Sequence, residues 1–288
     1  MTSNTAFPYK TVLMLGATSG IGLALAEKMI QNGIYVIAVG RRKEKLESFV
    51  SKHGKDKVST LPFDVTDLGD IPSFAETFVS PPLSMFTPLV YSESRVNKNI
   101  RVTKAHPKLD SVIINSGIQR SLDFTQPQDI DLEVVQAEYT TNYIAPLHIT
   151  KAFLPFLQNQ SLPTSLIFTT SGLALTPITR CPGYCATKAA MHHMILVLRE
   201  QLKGSNVKIV EILPPAVQTE LHDAKHQPDI KDGEQMGMPL EEFTDECWEG
   251  LEGGKENVPV GMAKRAWPWE EERIKRFEKM VEMMKPKM

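Results

Sequence analysis

A tyrosine and a lysine four positions apart are the side chains of this sequence best suited to acid–base chemistry. Tyr184 and Lys188 open a predicted helix, and residues four apart lie side by side on one helical face. A tyrosine hydroxyl can give a proton to the alkoxide that forms when hydride adds to a carbonyl, and a lysine cation beside it lowers its pKa from about 10. Ser171, thirteen positions before Tyr184, can hydrogen-bond the same oxygen. These side chains are suited to proton transfer at a substrate oxygen, with Tyr184 as acid or base.

Three glycines near the start of the chain predict a site for a dinucleotide pyrophosphate. Gly16, Gly20 and Gly22 lie between an apolar run of strand length, residues 11–15, and apolar residues at helical spacing, 23–30. Glycine lets the backbone turn sharply close to an anion, which the N-terminus of the new helix favours. The spacing is neither G-x-G-x-x-G nor a P-loop, and the alternative is an ordinary glycine turn. Further predicted cofactor contacts within this turn are Thr18, Ser19 and Ile21.

The second apolar run ends in residues that favour NADP over NAD. Gly40 stands where an acidic side chain would bind the ribose 2′-hydroxyl of NAD, and Arg41 and Arg42 follow, suited to a 2′-phosphate. The alternative is that both arginines belong only to the solvated first turn of a helix. Asp64 and Val65, after the third run, are predicted beside the adenine, where Asp64 either binds the adenine amino group, caps the next helix, or does both.

The elements that must position these side chains alternate between strands and helices. This alternation predicts an α/β fold, a three-layer, Rossmann-like, doubly wound parallel sheet in which ligands bind beyond the carboxyl ends of the strands. A long helical stretch over residues 129–157 contains Asn142 and two prolines. The six predicted strands lie at about residues 11–15, 34–39, 57–63, 109–114, 166–170 and 207–213.

Two regions depart from the alternation without suggesting a second domain. Residues 80–104 scatter prolines and serines among apolar residues and are predicted to be a surface insertion. Residues 221–288 are predicted to be a polar flap, residues 221–239, followed by a helical extension with helices near 241–250 and 270–284. The flap is interpreted either as a lid over a ligand or as a disordered connection. The whole chain, residues 1–288, is predicted to be one domain.

Composition excludes several classes of partner. The chain has 288 residues with 32 basic against 34 acidic side chains, so neither nucleic acid nor an anionic membrane is an expected partner. No apolar run is long enough to span a bilayer, and a cytoplasmic protein is predicted. Three cysteines give no disulfide framework. Cys181 and Cys185 with His192 and His193 match no usual zinc spacing, so core packing is favoured and no metal is predicted.

Four elements together strongly resemble the short-chain dehydrogenase/reductase family. They are the glycine turn of residues 16–22, Asn115-Ser116-Gly117, Ser171, and Tyr184-x-x-x-Lys188, and the resemblance covers about residues 11–221. Two departures qualify it. Ser116 is a mild change, and Pro215 stands where the family commonly has glycine, which affects the loop beside the nicotinamide.

The resemblance implies roles for further residues. Asn115 and Gly117 would steady the adenosine side of the cofactor pocket, and Asn142 would complete a proton relay. Val217 and Thr219 would contact the nicotinamide and the phosphates, while Tyr184 and Lys188 would also touch the cofactor, Lys188 through the ribose hydroxyls. The family pairs its two long helices across subunits, which implies a homodimer or homotetramer.

Two classes of function follow from these observations. The first is an NADP(H)-dependent oxidoreductase that interconverts a small-molecule carbonyl and a secondary alcohol. The second is an NADP-binding scaffold or sensor with little turnover, against which the intact Ser171, Tyr184 and Lys188 set speaks. Lyase or epimerase chemistry on the same cofactor is a weaker third possibility. A buried tyrosine with a surface lysine would be a purely structural alternative, but it leaves the position of Ser171 unexplained.

Overall fold

Seven parallel strands form the central sheet of the computed structural model, which describes residues 7–76 and 102–284. The strands are β1 Thr11–Leu15, β2 Tyr35–Gly40, β3 Val58–Pro62, β4 Ser111–Ile114, β5 Thr164–Thr169, β6 Val207–Leu213 and β7 Asn257–Pro259. Their order is β3-β2-β1-β4-β5-β6-β7, so the chain winds outward from β1 in one direction and then from β4 in the other. The predicted doubly wound parallel sheet is confirmed, and β7 is an additional edge strand.

Helices cover both faces of the sheet. They are α1 Gly20–Gln31, α2 Lys43–His53, α3 Ile71–Ala75, α4 Val102–Ala105, α5 Leu132–Tyr139, α6 Ala145–Gln158, α7 Pro182–Gln201, α8 Leu240–Glu252 and α9 Trp267–Met284. Alternate residues of β1 point to opposite faces: Met14 packs in the core under α1, α2 and α8, whereas Leu13 packs in the core under α3, α6 and α7. Both faces are therefore apolar, as a sheet buried on two sides requires.

The predicted helix over residues 129–157 is interrupted. The α-helix begins at Leu132, where the side chain of Asp131 accepts hydrogen bonds from the Glu133 and Val134 amides. A turn of π-helix, Thr140–Ile144, separates α5 from α6, and Asn142 lies within it. Such turns are concentrated at functional sites, because the extra residue redirects side chains. Pro155 is accommodated inside α6.

The predicted surface insertion at 80–104 lies outside the described residues except at its end. Residues 102–104 belong to α4, and Val102 is completely buried in the core below α3 and α6. Thr103 is also buried, and its hydroxyl donates to the Ala75 carbonyl oxygen at 2.9 Å. The prediction of a surface position is therefore wrong for Val102 and Thr103, because packing against α3 draws them into the fold.

The predicted C-terminal helices correspond to α8 and α9, but the two helices pack differently. In α8, Trp248 and Leu251 are buried. In α9 the apolar side chains are partly or largely exposed, Met284 among them, and the buried residue is Glu270. Within the described ranges, none of the helices has the length and apolar character needed to cross a bilayer.

Candidate active site

A cavity of about 1920 Å³ runs along the carboxyl ends of the parallel strands. Ligand pockets commonly measure 300–1000 Å³, so this space can hold two ligands. Every predicted cofactor-binding or catalytic residue lines the cavity except Gly22 and Asn142, which support residues in its wall. The parallel sheet brings these residues together because the ends of all its strands meet at one edge.

The glycine turn forms one wall of the cavity. Gly16 has φ +81° and Gly20 has φ +54°, both in the left-handed region, and the Gly16 amide donates to the Val39 carbonyl oxygen at 3.0 Å. A Cβ atom on Gly22 would overlap the Gly16 carbonyl oxygen. In the described part of the chain the side chain of Ser19 does not cap α1. The amides of the first helical turn therefore remain available to an anion.

The end of β2 requires glycine for a steric reason. A Cβ atom on Gly40 would lie 2.5 Å from Cγ2 of Thr18, so a larger residue there would displace the glycine turn. The guanidinium of Arg42 donates to Thr18 Oγ1 at 3.0 Å and to Ser19 Oγ at 2.5 Å. It also donates to the carboxylate of Glu220 at 2.6 Å. Arg42 thus lies beside the glycine turn and is not confined to the solvated first turn of α2.

Asp64 does not cap a helix. Its Oδ1 accepts hydrogen bonds from the amide and hydroxyl of Thr66, at 3.0 and 2.8 Å, and the next helix begins only at Ile71. The capping prediction is therefore wrong, because a short turn separates β3 from α3. Its Oδ2 lies 3.5 Å from the Arg41 guanidinium, and Val65 is buried next to it. These residues form the end of the cavity below β2 and β3.

The remaining predicted cofactor residues link the glycine turn to the centre of the cavity. Asn115 Nδ2 donates to the Gly16 carbonyl oxygen at 3.4 Å. A Cβ atom on Gly20 would lie 3.2 Å from the Thr219 side chain, so Thr219 closes over the turn. Val217 is buried and pairs with Met238 through a parallel bridge. The segment after β6 is thereby held against the start of α1.

Ser171, Tyr184 and Lys188 converge at the centre of the cavity. Ser171 follows β5, and its hydroxyl accepts a hydrogen bond from the Leu173 amide at 3.1 Å. Tyr184 and Lys188 lie in the first turns of α7, with the lysine Nζ 5.5 Å from the centre of the tyrosine ring. Lys188 Nζ also donates to the Thr169 carbonyl oxygen at 2.9 Å. The predicted side-by-side arrangement is present in the structure.

Burial governs the protonation of this pair. Burial raises the pKa of Tyr184, and a hydrogen bond with Ser171 opposes the rise only in part. Burial also lowers the pKa of Lys188 to about 8, against the opposing charges of Glu138 and Glu211. The lowered tyrosine pKa expected from a neighbouring lysine is therefore not found in the protein alone. Both groups hold their protons at neutral pH.

Asn142 supports the cavity wall with its side chain. Its Oδ1 accepts from the Ile118 amide at 2.9 Å, and its Nδ2 donates to the Ile118 carbonyl oxygen at 2.8 Å. Nδ2 also lies 3.2 Å from the Thr187 hydroxyl, on the helix that carries Tyr184. A Cβ atom on Gly117 would lie 3.4 Å from Asn142 Oδ1 and 3.5 Å from Lys188 Nζ. The π-helical turn therefore ties the loop after β4 to α7.

A family model for the short chain dehydrogenases matches residues 10–81 and 84–229 of this chain. The chain belongs to the short-chain dehydrogenase family. A relative from Bacillus subtilis (strain 168), named an uncharacterized oxidoreductase DltE, is 31% identical over 248 residues, 86% of each chain. The protein is accordingly an oxidoreductase of the short-chain dehydrogenase type.

Solved structures of similar fold contain either nicotinamide cofactor. A short chain dehydrogenase from Burkholderia cenocepacia J2315 in complex with NADP matches with a TM-score of 0.69 and 22% identity, over 98% of this chain and 100% of that one. A short chain dehydrogenase/reductase from Burkholderia phymatum in complex with NAD matches with a TM-score of 0.70 and 16% identity, over 88% and 89%. At these identities the likeness shows the Rossmann-like fold alone.

Two features of this dehydrogenase were missed at the sequence level. Glu138 is buried beside Tyr184, where Oε1 accepts from the Arg120 amide at 2.9 Å. Burial raises the pKa of Glu138 to about 7, although the Arg120 amide and charge oppose the rise. A Cβ atom on Gly183 would lie 2.5 Å from Oε2, so the glycine leaves room for the carboxyl group. A glutamate on an amphipathic helix gives no sequence signal that separates it from a solvated one.

The second missed feature is a polar contact that closes the flap. Arg180, four residues before Tyr184, forms a bidentate pair with Asp229, with both distances 2.7 Å. Gln227 is buried and donates to Gln119 Oε1 at 3.1 Å and to the Leu221 carbonyl oxygen at 2.6 Å. The flap is thereby joined to the loop after β4 and to the loop before α7, both of which line the cavity.

Proposed function

We propose that this dehydrogenase is an NADP(H)-dependent oxidoreductase that interconverts a carbonyl compound and a secondary alcohol. The observation that carries the proposal is the convergence of Ser171, Tyr184 and Lys188 on a cavity whose other end is the glycine turn. The cavity has room for a dinucleotide and a substrate together. The acid–base group and the anion site lie on one continuous surface, as such a reaction needs.

The residues present fit a dinucleotide. Gly16, Gly20 and Gly22 form a close turn in which a Cβ atom would press on Ser116, the Thr219 side chain and the Gly16 carbonyl oxygen, and Ser19 leaves the first amides of α1 uncapped by its side chain. Thr18, Ser19, Ile21 and Thr219 would surround the pyrophosphate. Arg41, Asp64 and Val65 would hold the adenosine, Asn115 and Gly117 would steady that side of the pocket, and Val217 would contact the nicotinamide. When bound, the cofactor would supply the hydride in reduction and accept it in oxidation.

Tyr184 would act as the acid in reduction and as the base in oxidation. Its raised pKa keeps the hydroxyl protonated at neutral pH, ready to protonate an alkoxide. Ser171 would donate its hydroxyl proton to the same substrate oxygen and stabilise its developing charge. Lys188 retains a proton at neutral pH and would favour the phenolate after the transfer, since an opposite charge stabilises the ionised tyrosine. Asn142 would keep the wall beside Lys188 in place and complete the proton relay.

Preference for NADP rests on the chemistry at the end of β2. The carboxylate that would bind a ribose 2′-hydroxyl is replaced by Gly40, which Thr18 packs against. Arg41 and Arg42 line the same part of the cavity and would bind a 2′-phosphate through charge-assisted hydrogen bonds. NAD would lack these contacts and should bind more weakly.

The test is NADPH consumption with a panel of ketones and aldehydes, for the natural chain and for Tyr184→Phe. We expect turnover that falls by about 10²–10⁴-fold in the variant, the usual contribution of a positioned general acid. Tyr139→Phe, on the partly exposed end of α5, is the matched control and should keep full activity. Tight NADPH binding without turnover on any carbonyl would instead support the scaffold or sensor.

We also propose that the protein is cytoplasmic and forms a homodimer or homotetramer through α6 and α7. A shallow depression on α7 supports this; it is lined by Tyr143 of the π-helical turn before α6 and by Ala189, Ala190, His193, Met194 and Val197 of α7, and Val197 is 44% exposed. Light scattering at micromolar concentration should give a multiple of 32.2 kDa. The monomer mass would contradict the proposal.

A further inference from the structure

Four large apolar side chains are exposed at the mouth of the cavity. Ile178 is 46% exposed, Met236 36%, Met262 65% and Trp269 74%, and all four line the cavity. They come from three segments: the loop before α7, the flap, and the C-terminal segment that leads into α9. Side chains of this kind gathered on separate segments mark a surface that binds an apolar group.

The C-terminal segment reaches the catalytic centre directly. Ala263 packs on the residue after Ser171, since a Cβ atom on Gly172 would lie 3.0 Å from Ala263 Cβ. A Cβ atom on Gly261 would lie 3.1 Å from Met238 Sδ, on the segment after β6. Met262 stands between these two contacts. Met262 also lines the cavity, and its side chain is largely exposed there.

A buried ion network holds Trp269 at the mouth. The next residue, Glu270, is 7% exposed, and its Oε1 lies 2.9 Å from His192 Nε2 on α7. The other ring nitrogen of His192 lies 2.8 Å from the buried carboxylate of Glu211 on β6. Arg273 donates to both carboxylate oxygens of Glu270, at 2.7 and 2.8 Å. The start of α9 is thus fixed to β6 and to α7, the helix that carries Tyr184 and Lys188. Trp269 therefore belongs to a firmly held part of the cavity wall.

The charged side chains around the mouth are either paired or exposed to water, so the apolar side chains are the main groups left to contact a ligand. Arg180 is paired with Asp229, and Lys264 is paired with Glu246 at 2.6 Å. Lys225, Lys231, Glu242 and Arg265 also line the cavity but are exposed, so their charges can remain in water. Arg120 is half-buried, and its guanidinium donates to the Gln119 carbonyl oxygen at 2.7 Å. An apolar ligand would cover the exposed carbon surface without breaking an ion pair.

We propose that the substrate is a bulky apolar carbonyl compound, with an aryl ketone as the model, whose apolar part packs on Met262 and Trp269 while its carbonyl oxygen faces Ser171 and Tyr184. This inference rests on the proposed function and names its substrate class. The carbonyl group receives a hydride at carbon and a proton at oxygen, so the product is the secondary alcohol. Ile178 and Met236 form the opposite side of the same mouth.

The experiment compares kcat/KM for butan-2-one, pyruvate, acetophenone and benzil with NADPH, in the natural chain and in Met262→Ala and Trp269→Ala. One methylene in a hydrophobic pocket is worth about 10–200-fold in kcat/KM, and truncating a side chain that packs on a substrate removes apolar contacts of at least that size. We expect each variant to lose about 10–100-fold with acetophenone and benzil but less than about threefold with butan-2-one. The NADPH dissociation constant should stay the same. Matched controls are Met283→Ala and Phe124→Ala, which truncate side chains that are 71% and 70% exposed away from the cavity.

A binding measurement separates this inference from the proposed function. Equilibrium dialysis of benzil against the protein saturated with NADP⁺, which carries no hydride to transfer, should give a dissociation constant that Met262→Ala and Trp269→Ala weaken at least tenfold. That result without turnover of any carbonyl would uphold the apolar site and overturn the proposed function. Faster reduction of butan-2-one or pyruvate than of the aryl ketones would overturn the inference and leave the proposed function standing. If the variants change the mass in light scattering but leave the ratio of kcat/KM between the aryl ketones and butan-2-one unchanged, the four exposed apolar side chains would form a contact between copies of the chain. That result would also overturn the inference.

Discussion

The guanidinium of Arg42 and the carboxylate of Glu220 meet at 2.6 Å across the cofactor end of the cavity. Arg42 follows β2, and Glu220 lies just after Thr219 on the segment that follows β6. Hydrogen bonds from Arg42 and the charge of its guanidinium outweigh burial and lower the pKa of Glu220. A cofactor phosphate that binds Arg42 must therefore compete with a carboxylate that is ionised at neutral pH. In the proposed NADP site, the pair would therefore influence both the affinity for the cofactor and the choice between NADP and NAD.

Replacing both arginines should remove the preference for NADPH. In Arg41→Ala/Arg42→Ala we expect NADPH binding to weaken by about 1–3 kcal/mol, the scale of lost charge-assisted hydrogen bonds, while NADH binding barely changes. Fluorescence titration with each cofactor measures this. Lys43→Ala removes an exposed cation at the start of α2 that does not line the cavity, and it is the control. Equal losses for NADPH and NADH would show that the arginines do not bind the 2′-phosphate.

Removing the competing carboxylate should have the opposite effect. In Glu220→Gln we expect NADPH to bind about two- to fivefold more tightly, a modest gain because both partners are partly exposed and screened by water. NADH should respond less, since it carries no 2′-phosphate. Glu234→Gln changes an exposed glutamate of the flap that does not line the cavity, and serves as the control. Unchanged or weaker NADPH binding would mean that Glu220 positions Arg42 productively.

Breaking the contact that closes the flap should affect substrate more than cofactor. Asp229→Asn removes the carboxylate that pairs with Arg180, so the flap should open more readily over the substrate end of the cavity. We expect a several-fold higher KM, a lower kcat and an unchanged NADPH dissociation constant. Asp232→Asn alters an exposed residue of the same flap with φ 50°, a conformation that asparagine also accepts, and should be silent. If Asp229→Asn behaved like this control, the Arg180–Asp229 pair would not hold a lid.

The network around His192 should make stability depend on pH. Burial alone lowers the pKa of His192, but its hydrogen bonds to the carboxylates of Glu211 and Glu270 outweigh burial and raise the pKa to about 9. The Arg273 guanidinium and His193 are further neighbours. Because this pKa lies above the unfolded value of 6.5, the contribution is complete below pH 6.5 and is lost as pH rises to about 9. Urea unfolding should show falling stability over that window. This fall in the free energy of unfolding should be absent in His192→Gln and present in the control, His193→Gln. A fall that persists in His192→Gln would contradict the ion network.

Gly22 tests the geometry of the glycine turn. A Cβ atom there would overlap the Gly16 carbonyl oxygen and would lie 2.6 Å from Asn115 Nδ2, both of which are held in the wall of the cavity. We expect Gly22→Ala to cost about 2–4 kcal/mol of stability or to abolish NADPH binding by shifting the turn. Gly69→Ala, where the added methyl group meets no atom within 4 Å among the described residues, should be nearly neutral. Thermal melting and cofactor titration of the two variants distinguish these outcomes.

Short patterns in the sequence were enough to predict the sheet and the centre of the site. The apolar runs of β1 to β6 identify strands because a strand buried on two faces must be apolar along its length. Tyr184 and Lys188 could be placed side by side because helical spacing alone decides it. The edge strand β7 was not predicted, because it has only three residues and Val258 is the buried one among them.

Long-range partners were decided only by the tertiary structure. Arg42 and Glu220 are 178 positions apart, and neither differs in the sequence from a solvated surface charge. The same holds for Glu138, which is buried where α5 meets the loop after β4 and the start of α7. It also holds for His192 and Glu270, which are buried where the sheet, α7 and α9 meet. Local periodicity determines which face of an element is apolar, whereas the partner of a polar side chain depends on which loops the strand order brings to one edge. The sequence alone therefore determined the family fold and which side chains are proposed to react, and the folded chain decided what surrounds them.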